Sequence, residues 1–68
     1  MHEQLRNRLR EARARRNLTQ AELATLAEVS RKTINTVENG VFIPSTVLAL
    51  RLARALGTSV EALFQLPG

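Results

Sequence analysis

The 68-residue sequence predicts an all-α fold, a compact five-helix bundle in one domain spanning residues 1–68. Three observations lead there. Ala, Leu and Arg, all strong helix formers, dominate the composition, while Trp and Tyr are absent. Apolar residues recur at spacings of three and four instead of alternating. Ser, Thr and Gly stand where helices should begin and end. A chain of this size buries only about 60% of the surface its unfolded form exposes, so it is marginal alone. There is no Cys, and His2 is the only His, so neither a disulfide nor a metal cluster supports the fold. His2 itself reads as a solvated terminal residue. Apolar packing must hold the domain, from the 44% of residues that are hydrophobic, helped by any partner subunit.

The first helix is expected over residues 3 to 16, where Leu5, Leu9 and Ala12 follow spacings of four and three. Arg6, Arg8, Arg10, Arg13, Arg15 and Arg16 crowd the same stretch, and most of them read as a solvated surface. Thr19 followed by Glu22 forms a capping box that opens a second helix, with Leu18 and Leu23 as a hydrophobic staple. That helix carries Leu23, Ala24, Leu26 and Ala27 and is interrupted at Val29-Ser30. Ser30 can cap a third helix by accepting a bond from the amide of Lys32 or Thr33. Ile34 and Val37 face inward from it, and Glu38-Asn39-Gly40 ends it. Val41-Phe42-Ile43-Pro44 is a loop, because Pro44 bars helix through Ile43. Ser45 caps a fourth helix with a wide apolar face of Val47, Leu48, Leu50, Leu52, Ala53 and Leu56, and Gly57 stops it. Ser59 caps a short fifth helix in which Val60, Leu63 and Phe64 face the core.

The formal net charge of +4 points to an anionic partner, nucleic acid or a membrane surface. No apolar stretch is long enough for a signal peptide or a membrane span. The absence of Cys fits a reducing compartment, and the sequence reads as a soluble cytoplasmic protein. Enzyme chemistry has no foothold: there is no nucleophile-base pair, no Gly-rich phosphate loop and no metal-ligand cluster. No cofactor or small-molecule ligand is implied.

The functional signal is the pair of short helices at 19 to 27 and 30 to 39, joined by a tight turn. Small Ala24 sits where they would cross, and Ile34 and Val37 hold the second of them to the core. The opposite face carries Ser30, Arg31, Lys32, Asn35 and Thr36 and is left free to enter a groove. Leu18-Thr19-Gln20-Ala21-Glu22-Leu23-Ala24, Val29-Ser30-Arg31-Lys32-Thr33-Ile34-Asn35, Glu38-Asn39-Gly40 and Pro44-Ser45 together resemble the phage-repressor and Cro-type, or xenobiotic-response-element (XRE), helix-turn-helix family. The likeness runs from about Leu5 to Leu66. It implies a lambda-repressor-like DNA-binding domain whose third helix reads the major groove. One departure stands out: Glu28 occupies the turn position where the family usually has Gly. A non-Gly residue held in the left-handed conformation there costs roughly 1–2 kcal/mol.

The resemblance puts Arg31 and Lys32 at base-reading positions, where either donates to guanine O6 and N7 or to a phosphate. Ser30 touches a base edge or phosphate, or serves only as a cap. Thr36 offers its methyl to thymine. Gln20, at a helix N-terminus, is expected on a phosphate with Thr19 beside it. Asn35 and Asn39 are expected on the DNA backbone. The family also carries an acid that pairs with an arginine of the first helix, which implies a structural Arg13–Glu38 ion pair. Breaking one member of such a pair, if buried, costs about 3–5 kcal/mol.

One short helix covers few base pairs, and dimers overcome this by reading two half-sites about 34 Å apart. Phe42 and Ile43 in the loop and Leu66 beyond the last helix offer surplus apolar surface, unless they close the monomer core. The resemblance implies pairing through the last helices and C-terminal segment, so Phe42, Ile43, Leu63 and Leu66 are the expected homodimer contacts. The expected function is a sequence-specific transcriptional regulator, most simply a repressor, binding palindromic double-stranded DNA. The alternative is an antitoxin-like or bridging protein-interaction module, which calls for an added partner-gripping segment that the sequence, ending at Gly68, does not contain. Lipid binding lacks aromatic anchors, and RNA binding lacks an aromatic platform.

Overall fold

The computed structural model describes residues 5–68. In chain order these form β1 (Arg6–Asn7), α1 (Leu9–Arg15), α2 (Gln20–Ala27), α3 (Arg31–Glu38), α4 (Thr46–Leu56), α5 (Val60–Leu63) and β2 (Phe64–Gln65). The helices from α2 onward begin where their caps predict. Thr19, Ser30, Ser45 and Ser59 each accept a bond from the third helical amide, and Thr19 and Glu22 complete a reciprocal capping box. Gly57 ends α4 in the left-handed conformation, with φ of 65°. Glu28 closes α2 in the same conformation at φ 60° and ψ 44°, so the turn keeps its geometry without glycine.

The core gathers Leu9, Leu23, Ile34, Val37, Leu52 and Leu63, each fully buried or nearly so, with Ala24, Ala27, Ala53 and Leu56 between them. Alanines at 24, 27 and 53 leave room for the short helices to approach, while the leucines fill the centre. Four-residue spacing makes α4 bury Leu48, Leu52 and Leu56, whereas Val47 and Leu50 of the same predicted apolar face point away and stay exposed. No helix among the described residues is long and apolar enough to cross a membrane.

Two expectations need correcting. The first helix does not begin near residue 3 but at Leu9; residues 3 and 4, and His2, lie outside the described residues. Arg6 and Asn7 pair antiparallel with Gln65 and Phe64 instead. Asn7 explains the change. Its Oδ1 accepts from the Leu9 amide at 3.0 Å, and its Nδ2 donates to the Val37 carbonyl at 2.6 Å. The side chain thereby caps α1 and ties it to the end of α3, a contact between residues 30 apart that local periodicity does not reveal. Leu5 still packs against the core from the extended segment. At the other end, Phe64 is buried as expected but lies in β2, not in the fifth helix.

Candidate nucleic-acid interface

The turn that joins α2 to α3 is built from local chemistry. Val29 donates its amide to the Ala24 carbonyl, and Ser30 restarts the helix by accepting from the Thr33 amide at 3.1 Å. From there α3 divides into two faces. Ile34 and Val37 are fully buried, while Arg31, Lys32 and Asn35 are exposed and Thr36 is half-buried. Arg31 and Lys32 make no ion pair or side-chain hydrogen bond among the described residues. Two cations therefore stand free at the N-terminal end of α3, the end of a helix that favours anions. The hydroxyl of Thr36 bonds the Thr33 carbonyl at 2.9 Å, which leaves its methyl as its contact surface. Ser30 is engaged twice, as cap and through its hydroxyl to Thr33 Oγ1 at 2.9 Å.

Behind this face lies a polar cluster joining α1, α2 and α3. Arg13 Nε sits 2.6 Å from Glu38 Oε2, and Arg13 Nη2 lies 3.2 Å from Oε1. The two nitrogens grip the carboxylate as a fork, the strongest form of such a pair. The Glu38 side chain has no exposure and that of Arg13 has 17%. Arg13 Nη1 also donates to the Leu18 carbonyl, bracing the segment that leads into α2. Burial pushes the Glu38 carboxyl up, but hydrogen bonds from Arg13, Gln20 and Arg10 and the Arg13 charge outweigh this and hold it below the usual carboxylate range.

Gln20, expected on a phosphate, is engaged within the protein. Its Nε2 donates to Glu38 Oε1 at 3.1 Å and to Asn35 Oδ1 at 3.3 Å. A buried carboxylate needs donors more urgently than an exposed amide needs water, which accounts for the direction. What Gln20 leaves toward solvent is the backbone at the start of α2. Thr19 Oγ1 accepts from the Glu22 amide at 3.0 Å. Asn39 bridges Asn35 to Arg10, whose Nη2 donates to Asn39 Oδ1 at 3.0 Å.

Several arginines of the first stretch are thus more than solvated surface. Arg10 reaches Glu38 and Asn39 of α3. Arg16 places Nε and Nη2 on the Leu56 carbonyl at 3.0 and 2.9 Å, capping the C-terminal end of α4. No periodicity announced these roles, because the partners lie 28 to 40 residues away.

The apolar residues expected at a dimer contact separate. Ile43 and Leu66 are 62% and 67% exposed. Leu63 is only 1% exposed and belongs to the core, as its place in α5 predicts, so it is removed from the contact. Phe42, 46% exposed, lines a hollow with Lys32, Thr33, Thr36 and Val41, beside the polar face of α3. A separate groove on the α4 side is lined by Leu5, Pro44, Ala49, Leu50, Val60 and Leu66.

Comparison with known proteins agrees with this geometry. A helix-turn-helix family model matches residues 9–63. MJ0272 of Methanocaldococcus jannaschii, described as an HTH-type transcriptional regulator, is 42% identical over 60 residues, covering 88% of this chain and 91% of its own. YgzD of Bacillus subtilis, described in the same words, is 34% identical over 62 residues, covering 91% and 94%. Among solved structures, the restriction-modification controller protein C.AhdI of Aeromonas hydrophila superposes with a TM-score of 0.77 at 39% identity, over 79% of this chain and 82% of that one. A family model matching residues 9–63 and relatives alike over most of both chains mean that this chain belongs to the XRE-type helix-turn-helix family.

Proposed function

We propose that this protein is a sequence-specific DNA-binding transcriptional regulator that acts in the cytoplasm as a repressor, lying as a homodimer across a palindromic operator. The observation that carries the reading is the division of α3: Ile34 and Val37 anchor it, while Arg31 and Lys32 stand exposed and unpaired among the described residues. In this reading α3 enters the major groove, Arg31 and Lys32 meet base edges or phosphates, and Thr36 presents its methyl to thymine. Ser30 and Thr19 approach the same strand from their caps. Gln20 and the backbone amides at the start of α2 meet a phosphate, and Asn35, Asn39 and Arg10 line the wall beside it. The relatives named as HTH-type transcriptional regulators support control of transcription.

The dimer reading rests on exposed apolar surface. Ile43, Val47, Leu50 and Leu66 are each more than half exposed, an arrangement that a small monomer does not favour. Two copies joined on the α4 side would present two α3 helices to successive major grooves, about 34 Å apart.

Selection of bound sequences from a random DNA pool, with affinity followed against salt, tests the whole proposal. A palindromic consensus with two half-sites one helical turn apart is the expected result. Binding that enriches no sequence and disappears uniformly as salt rises would reduce the protein to a nonspecific cation.

A further inference from the structure

The cluster behind α3 has fixed chemical polarity at both ends. At one end Glu38 is a carboxylate, which only accepts; at the other Arg10 is a guanidinium, which only donates. Three carboxamides lie between them, and each could in principle face either way. Glu38 decides the first: the Gln20 group must turn Nε2 toward it, at 3.1 Å, and the second proton of that nitrogen meets Asn35 Oδ1 at 3.3 Å. Arg10 decides the second: Asn39 must give it Oδ1, at 3.0 Å, and so turns Nδ2 toward Asn35 Oδ1, at 3.3 Å. Both neighbours of Asn35 therefore arrive as donors. Its oxygen faces them, and its Nδ2, on an exposed residue, faces out.

We propose that Asn35 meets DNA only as a hydrogen-bond donor, its carboxamide held in one orientation by a relay from Glu38 through Gln20 and from Arg10 through Asn39. A free asparagine can pair with adenine by giving one bond and receiving another. Asn35 cannot receive, since its oxygen already holds two donors. Its partner is an acceptor: a phosphate oxygen, or a base edge such as guanine, whose O6 and N7 both accept. Gln20 and Asn39 are positioning residues in this scheme. The inference rests on the proposed DNA-binding reading.

Asn35→Asp in the full chain tests it. Aspartate keeps the shape and still accepts from Gln20 and Asn39, but has nothing to donate outward. If the partner is phosphate, the variant loses about tenfold or more in affinity for all sequences, and replacing one backbone phosphate by neutral methylphosphonate erases its difference from wild type. If the partner is a base, selection from a random pool moves one preferred position from guanine to cytosine, whose N4 donates. A variant that binds as wild type does, with the same consensus, overturns the proposal. Asn39→Asp checks the relay: it keeps Arg10 but replaces one of the two donors on Asn35 Oδ1 by an acceptor, so the carboxamide is no longer held in one orientation. The methylphosphonate-sensitive or base-discriminating position seen in wild type should then vanish while the melting temperature stays within a few degrees. Discrimination unchanged in Asn39→Asp overturns the relay. Failure of the wild-type chain to enrich any DNA sequence defeats the DNA-binding reading itself and is separable from every Asn35 outcome.

Discussion

Arg31 and Lys32, unlike Arg10, Arg13 and Arg16, have no side-chain partner among the described residues. An arginine left free at the start of an exposed helix keeps its whole fork for an external acceptor. Arg31→Ala is accordingly expected to weaken operator binding by about 1–3 kcal/mol and to relax preference at one base position, as read from selected sequences. Equal loss on every sequence would move Arg31 to the phosphate backbone. Glu28 is the other residue with a clear expectation. It holds φ 60° in the turn between α2 and α3, a conformation that crowds any Cβ. Glu28→Gly relieves that strain and gives back part of the gain through a more flexible unfolded chain. The net expectation is about 0.5–1 kcal/mol of added stability, a rise of a few degrees in melting temperature; a fall would mean that the Glu28 side chain has a role beyond the turn.

Among the elements, α3 is held from two sides of different character. Ile34 and Val37 secure it by burial, and Glu38 pins its C-terminal end to α1 through Arg13 and to α2 through Gln20. Removing the carboxylate strands the Arg13 guanidinium, so Glu38→Ala should lose about 3 kcal/mol, the low end of the range for broken buried pairs because Arg13 retains some access to water. The same carboxylate fixes the acid response. Its pKa is lower in the folded protein than in the unfolded chain, so its contribution is complete above the unfolded value. It is lost as pH falls through the lower folded value. Stability should hold at neutral pH and decline below about pH 4.3, with Glu22, also held low by its hydrogen bonds to Thr19, adding to the decline. Denaturant titrations from pH 7 to pH 3 would show a shallower acid limb in Glu38→Gln; an unchanged limb would assign the acid sensitivity elsewhere.

On the scale of the whole molecule, the bundle leaves large apolar side chains exposed. Ile43, Val47, Leu50 and Leu66 are each more than half exposed. If the proposed dimer joins here, a charge on this surface should separate its subunits and leave the fold intact. Leu50→Asp is expected to shift sedimentation to a monomer with little change in melting temperature at low concentration. Its affinity for a two-half-site operator should fall far more than its affinity for one half-site. A variant that stays dimeric places the contact elsewhere.

The sequence by itself determined the helices from Gln20 onward, because caps, staples and glycine stops act between residues three or four apart. It also determined the exposed row of α3, since Ile34 and Val37 fix which side turns inward. The Arg13–Glu38 pairing came from likeness to a family, not from spacing. Only the tertiary structure showed that residues 6 and 7 form a strand, that Arg16 caps α4, and that Gln20 donates to Glu38. Each of these depends on a partner 18 or more residues away, and none leaves a trace in local periodicity. A buried carboxylate draws in every donor within reach, and which donors are within reach is a property of the folded chain.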